Sequence, residues 1–197
     1  MAPFRRARLG LGRSFQDGRL FPTLTVHETI AVALERAEAN HNALAAALWS
    51  PTVTSSERRV TERVEELLEL MGITDFRDKL VRELSTGSKR IVDLACVMAH
   101  GPSVLLLDEP SSGIAQREAE ALGPLLLRIR EQTGTSLLLI EHDVPLMLSV
   151  ADRVIALELG RTIADGAPDD VVHDPEVVRS YLGGGAAVAR SGTADSQ

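Results

Sequence analysis

Val104-Leu105-Leu106-Leu107-Asp108-Glu109-Pro110 sets an apolar run directly against two acids and a proline. A run that is apolar on both faces is what a strand buried in a parallel sheet requires, and the abrupt change at Asp108 fixes two carboxylates where that strand ends. Leu137-Leu138-Leu139-Ile140 repeats the pattern and stops at Glu141-His142-Asp143. Between the two runs, Leu122, Leu125, Leu126 and Ile129 recur at helical spacing across residues 118–131. The segment is therefore a strand, helix, strand unit with a right-handed crossover expected. Open α/β sheets collect ligands at the carboxyl ends of their strands, and both runs deliver their charged residues there.

Upstream the periodicity is helical. Thr25 is an N-cap with Glu28 in the capping-box position, and Ile30, Val32, Ala33, Leu34 and Ala37 predict a helix over residues 26–39. Residues 43–48 are apolar and are stopped by Ser50 and Pro51. A charged helix then opens at Ser55 or Ser56, carries Val60, Val64, Leu67, Leu68 and Met71 on one face, and ends at Gly72 as at a C-cap. Another is predicted over residues 88–100, closed by Gly101 and Pro102. Residues 5–21 are basic and glycine-punctuated and read as a loop. Downstream, residues 154–159 and 161–164 form a hairpin at Gly160, residues 169–182 a closing helix, and residues 183–197 a Gly, Ala and Ser tail.

A chain of 197 residues can remove roughly 70% of its unfolded surface from water in one core. Lys plus Arg number 21 against 28 Asp plus Glu, a formal charge of −7, and the basic residues cluster only at Arg5, Arg6, Arg8 and Arg13. Binding to nucleic acid through phosphate neutralisation is disfavoured. The single cysteine, Cys96, has no intrachain partner and lies in an apolar run, which fits a reducing compartment. No apolar stretch approaches the roughly 20 residues that span a bilayer, and the basic start lacks the apolar core of a secretory signal. A cytoplasmic location is expected.

The chemistry-bearing residues each admit two readings. Asp108 can hold Mg²⁺ directly or through water and Glu109 can take a proton from an attacking water, or the pair is an acidic turn before a proline. His142 ends the next strand in a parallel position, or is a solvated histidine. The turn Leu84-Ser85-Thr86-Gly87-Ser88 precedes a helix, where N–H groups and the helix dipole can hold a phosphate, or it is an ordinary N-cap. Gln16, taken alone, is a loop glutamine. His27, His41, His100 and His173 share no ligand spacing with one another or with Cys96, so no zinc site is expected.

In order and spacing these signals resemble the nucleotide-binding domains of ABC transporters. Gln16 matches the Q-loop glutamine, Leu84 to Ser88 the signature LSGGQ, Asp108 and Glu109 the Walker B aspartate and catalytic glutamate, and His142 the switch histidine. The opening RRARLGLGRSFQDGRLFPTLTVHETI and the ending DPEVVRSYLG are similar to the subgroup serving branched-chain amino-acid uptake, and the resemblance covers residues 5–183. It implies an α/β fold, an incomplete P-loop NTPase (RecA-like) parallel sheet with an ABC-type helical subdomain. Its parts would be residues 1–23 (the Q-loop region of the core), 24–101 (the helical subdomain with the signature), 102–183 (the α/β core) and 184–197 (a disordered tail).

The resemblance further implies ATP and Mg²⁺ as cofactors, with two such domains paired head to tail around two nucleotides. Asp108 would coordinate Mg²⁺, Glu109 would be the general base and His142 would contact the γ-phosphate. Ser85, Thr86, Gly87 and Ser88 would contact the partner's nucleotide, and Gln16 would sense the Mg²⁺ and face a membrane subunit. The implied partners are permease subunits and a second nucleotide-binding domain, at the inner face of the plasma membrane. Thr86 and Ser88 stand where the family usually has Gly and Gln, and Ala115 where a carboxylate is common. No G-x-x-x-x-G-K-S/T occurs, and no lysine precedes Lys79. A late start, a fragment of a longer subunit and a degenerate protein all fit that absence. The chain is accordingly expected to be the ATP-binding subunit of an importer, inactive by itself, or alternatively a non-catalytic module that docks on a membrane subunit or a complete ATPase.

Overall fold

The computed structural model describes residues 3–14, 20–38 and 51–182, which divide into two units, Met1–Leu146 and Met147–Gln197. In the first unit the order is α1 (Pro3–Arg8), β1 (Leu11–Arg13), α2 (Val26–Glu38), α3 (Pro51–Met71), α4 (Thr86–Met98), β2 (Val104–Asp108), α5 (Gln116–Thr133) and β3 (Ser136–Ile140). The division between the units falls within α6 (Val144–Val150). The second unit holds β4 (Val154–Glu158), β5 (Arg161–Gly166), α7 (Pro168–Val172), α8 (Pro175–Val177) and a π-helical turn at Val178–Leu182.

β2 is the middle of a parallel three-stranded sheet, in register with β1 from Leu11↔Val104 to Arg13↔Leu106 and with β3 from Val104↔Ser136 to Asp108↔Ile140. The expected strand, helix, strand unit is present, with α5 between the two parallel strands. Leu105 and Leu107 are buried, as a central strand requires. β3 is more open than its apolar run alone suggests, in line with an absent phosphate-loop strand: Leu138 and Ile140 are 58% and 59% exposed. Side chains two apart share one face of a strand, and that face of β3 is open. Among the described residues β3 also has a neighbour on one side only.

The helical part builds its own core. Val26, Ile30 and Leu34 of α2 meet Val64, Leu67, Leu68 and Met71 of α3 and Val92, Ala95 and Met98 of α4, all of them buried. The spacing of these residues gives each helix one apolar stripe, so three helices can close around it. Thr25 and Glu28 form the expected capping box: Glu28 N–H donates to Thr25 Oγ1 at 3.1 Å and Thr25 N–H to the Glu28 carboxylate at 2.8 Å. That pairing holds the Glu28 carboxyl below its ordinary pKa through the Thr25 N–H. Burial pushes the Cys96 thiol up to about 12. That shift disfavours the thiolate, the reactive form.

Four expectations are corrected. Residues 5–21 are not one loop, because α1 and β1 form there, β1 existing through its ladder to β2. α3 begins at Pro51 rather than Ser55 or Ser56. A proline suits the first helical turn, where its missing N–H would be unpaired anyway. The helix expected over residues 88–100 starts and ends two residues earlier, at Thr86 and Met98, with Ser85 as its N-cap. The closing helix is broken, because the Asp174 carboxylate caps the N–H groups of Glu176 and Val177 and a new short helix starts at Pro175. The apolar segment at 43–48 and the tail at 184–197 lie outside the described residues. No described helix is long and apolar enough to cross a membrane.

The hairpin of the second unit pairs antiparallel from Val154↔Gly166 to Glu158↔Arg161, as expected, and Arg153 grips Asp165 with two hydrogen bonds of 2.7 Å.

Free strand edges invite pairing, and a buried orphan N–H or C=O costs about 1–3 kcal/mol against a total stability of only about 5–15 kcal/mol. In a monomeric sample, hydrogen exchange is therefore expected to protect only the β3 amides that face β2, leaving the alternate amides of residues 137–140 fast. Uniform protection across 137–140 would show that the edge is covered.

Candidate functional site

The ladder between β2 and β3 places Asp108 opposite Ile140, so Glu109 and Glu141 leave the sheet at the same end. Neighbouring strands lie about 4.8 Å apart, which brings the acid pair and the Glu141-His142 pair to one end of the sheet. β1 is parallel to β2 and runs out at this end too: Ser14 N–H donates to the Leu106 carbonyl at 3.1 Å. Gln16 lies outside the described residues.

Asp108 is partly exposed and pairs with Arg13, with Nη2 at 3.4 Å from Oδ2. Glu109 has φ 46, and its N–H donates to the Ile140 carbonyl at 2.8 Å. A non-glycine residue at such a φ is uncommon, and it holds the backbone where the strand has just been left. The Ser112 N–H closes the turn onto the Glu109 carbonyl at 3.0 Å.

Glu141 is the residue that sequence reasoning missed. Its carboxylate is 0% exposed and accepts the N–H groups of Ser111 at 2.9 Å, His142 at 2.9 Å and Asp143 at 3.2 Å. Burial alone would raise its pKa, but the hydrogen bonds from Ser111, Asp143 and His142 outweigh it and hold the group below the usual carboxylate range. Glu141 thus ties the turn after β2 to the turn after β3. It also leaves the His142 ring outward, 70% exposed, with Nδ1 at 3.7 Å from the carboxylate.

The turn at residues 84–88 begins α4. Ser85 is its N-cap, accepting the Ser88 N–H at 3.1 Å, and Gly87 is buried while Ser85 and Thr86 are exposed. The structure therefore brings Asp108, Glu109 and His142 to one end of the sheet. It sets Ser85, Thr86, Gly87 and Ser88 at a helix N-terminus, against α5. Among the described residues no group of three or more His, Cys, Asp or Glu side chains is arranged to hold a metal ion. Mg²⁺ does not need one, because it is commonly held by one or two carboxylates with phosphate and water completing its shell. Asp108 fits that donor set.

The model of the ABC transporter family matches residues 2–112, and that of the branched-chain amino acid ATP-binding cassette transporter matches residues 161–187. The chain is 35% identical over 177 residues to the high-affinity branched-chain amino acid transport ATP-binding protein BraF of Pseudomonas aeruginosa, covering 90% of this chain and 69% of that one. It is 32% identical, with the same coverage, to LivG of Escherichia coli strain K12, which carries the same description. Among solved structures it resembles cbiO1 of Clostridium perfringens, part of the ABC transporter complex cbiONQ. That match has a TM-score of 0.71 and 28% identity, and covers 89% of this chain and 64% of that one. The ATP-binding cassette MJ1267 in its ADP conformation shares the fold, with a TM-score of 0.70 at 23% identity, covering 93% of this chain and 72% of that one. The chain thus spans about two thirds of the length of these relatives.

Proposed function

The chain belongs to the ABC transporter family, among the ATP-binding proteins of branched-chain amino acid transport, and from that premise we propose that it couples ATP hydrolysis to the import of branched-chain amino acids. In this reading Asp108 would hold Mg²⁺, which would neutralise charge on the transferring phosphate, and Gln16 has the role of sensing that ion. Glu109 takes the proton of the attacking water. His142 contacts the γ-phosphate. Ser85, Thr86, Gly87 and Ser88 contact the phosphates of a nucleotide carried by a second nucleotide-binding domain. The chain works with membrane permease subunits, and we place it peripherally on the inner face of the plasma membrane.

The observation that carries this reading is the common exit of Asp108, Glu109 and the Glu141-His142 pair at the carboxyl ends of two paired strands. The backbone of Glu109 is pinned at the end of β2 by its bond to the Ile140 carbonyl, which fixes where its side chain starts. Glu141, buried and hydrogen-bonded to three N–H groups, keeps the two turns in register and so orients His142 relative to Glu109. The phosphate cradle of the family is not among these 197 residues.

ATP-driven uptake of labelled leucine into vesicles carrying the assembled transporter tests the reading. Isoleucine and valine are expected to compete, and Asp108→Ala to cut uptake by about tenfold or more through loss of the Mg²⁺ ligand. Uptake indifferent to both the competitors and the substitution would contradict it.

A further inference from the structure

The Ser85 hydroxyl bridges two helices. It caps α4 by accepting the Ser88 N–H, and it donates to Glu118 Oε1 of α5 at 2.6 Å. Ser88 Oγ, 3.0 Å away, is an alternative acceptor for the same single proton. Glu118 also lies over Gly87. A Cβ at that position would stand 2.4 Å from Glu118 Cδ and 2.5 and 2.8 Å from its two oxygens. The φ of Gly87 is not positive, so its backbone does not ask for glycine. A side chain there would have to push the Glu118 carboxylate aside. Glu118 Oε2 meanwhile accepts the Ala115 N–H at 3.3 Å, which fixes the carboxylate as part of the cap of α5.

We propose that Glu118 is a positioning residue that gates the turn at 84–88: its carboxylate holds Ser85 and covers Gly87 as an internal anion, and it must swing away before a phosphate can reach either residue. The inference rests on the reading that this turn contacts phosphate. The N–H groups and dipole of a helix N-terminus favour one negative group. A carboxylate and a phosphate on the same two residues repel each other, so each excludes the other. Displacing Glu118 frees the Ser85 proton for the incoming oxygen and opens the face of Gly87.

Titration of the ¹⁵N-labelled full chain with inorganic phosphate, at ionic strength held constant with chloride, tests this through the backbone amide signals of Gly87 and Ser88. Glu118→Gln keeps the size of the side chain and its capping acceptor but removes the charge. The half-saturating phosphate concentration is expected to fall by about tenfold in this variant, the order of one charge-assisted hydrogen bond's advantage. A residue that served only as a cap would leave the titration where it was. Equal half-saturation in the two proteins would overturn the gating role while leaving phosphate binding at the turn intact. Absence of any phosphate-dependent shift in either protein would overturn the phosphate reading and the gate with it. If Glu118→Gln does not fold, Glu118→Asp draws the carboxylate back from Gly87 and is expected to shift the titration in the same direction by a smaller factor. No change there would count equally against the proposal.

Discussion

Mg-ATP is expected to give no appreciable binding isotherm with a polypeptide of these 197 residues, and the same sample is expected to show no ATP turnover. Triphosphate affinity in this family's chemistry comes largely from a glycine-rich loop whose N–H groups cradle the phosphates and from the lysine that follows it. The sequence offers no G-x-x-x-x-G-K-S/T and no lysine before Lys79. What it does present at the end of the sheet is acidic: Asp108, Glu109 and the buried Glu141, with Arg13 already paired to Asp108. Without the cradle, those carboxylates and a net charge of −7 oppose a polyanion instead of holding it. Isothermal titration calorimetry decides the matter, and a dissociation constant in the low micromolar range, about −8 kcal/mol, would contradict the expectation.

The parts of the fold legible in the sequence are those that local chemistry dictates. β2 is readable because a continuous apolar run that stops at two acids suits a buried strand and little else, and α2 because Thr25 and Glu28 mark its start. β1 is not readable, because Leu11–Arg13 is a strand only by virtue of a partner far along the chain. The open face of β3 is not written in its own residues, since Leu138 and Ile140 carry the same apolar signal as β2; the absence of a phosphate-loop motif is what leads one to expect it. At the site, the positions of Asp108, Glu109 and His142 after strands mark them out. Glu141 escapes notice because its role depends on burial and on the Ser111 N–H from another turn. Glu118 is visible in the sequence only as the opening residue of a helical pattern, and the structure makes it the third residue of α5. Its bond to Ser85, which is 33 residues away in sequence, is a product of how α5 packs on α4.

The proposed mechanism turns on Glu109, held at φ 46 beside the strand end, taking the proton of the attacking water. Glu109→Gln keeps the shape and the backbone turn but removes the base, and the assembled transporter carrying this substitution is the material in which to measure it. ATP binding and ATP turnover should be followed side by side on the same preparation. Binding is predicted to be essentially unchanged and turnover to fall by about 10²–10⁴-fold, the usual contribution of a positioned general base. Turnover equal to that of the unaltered transporter would contradict the role of Glu109.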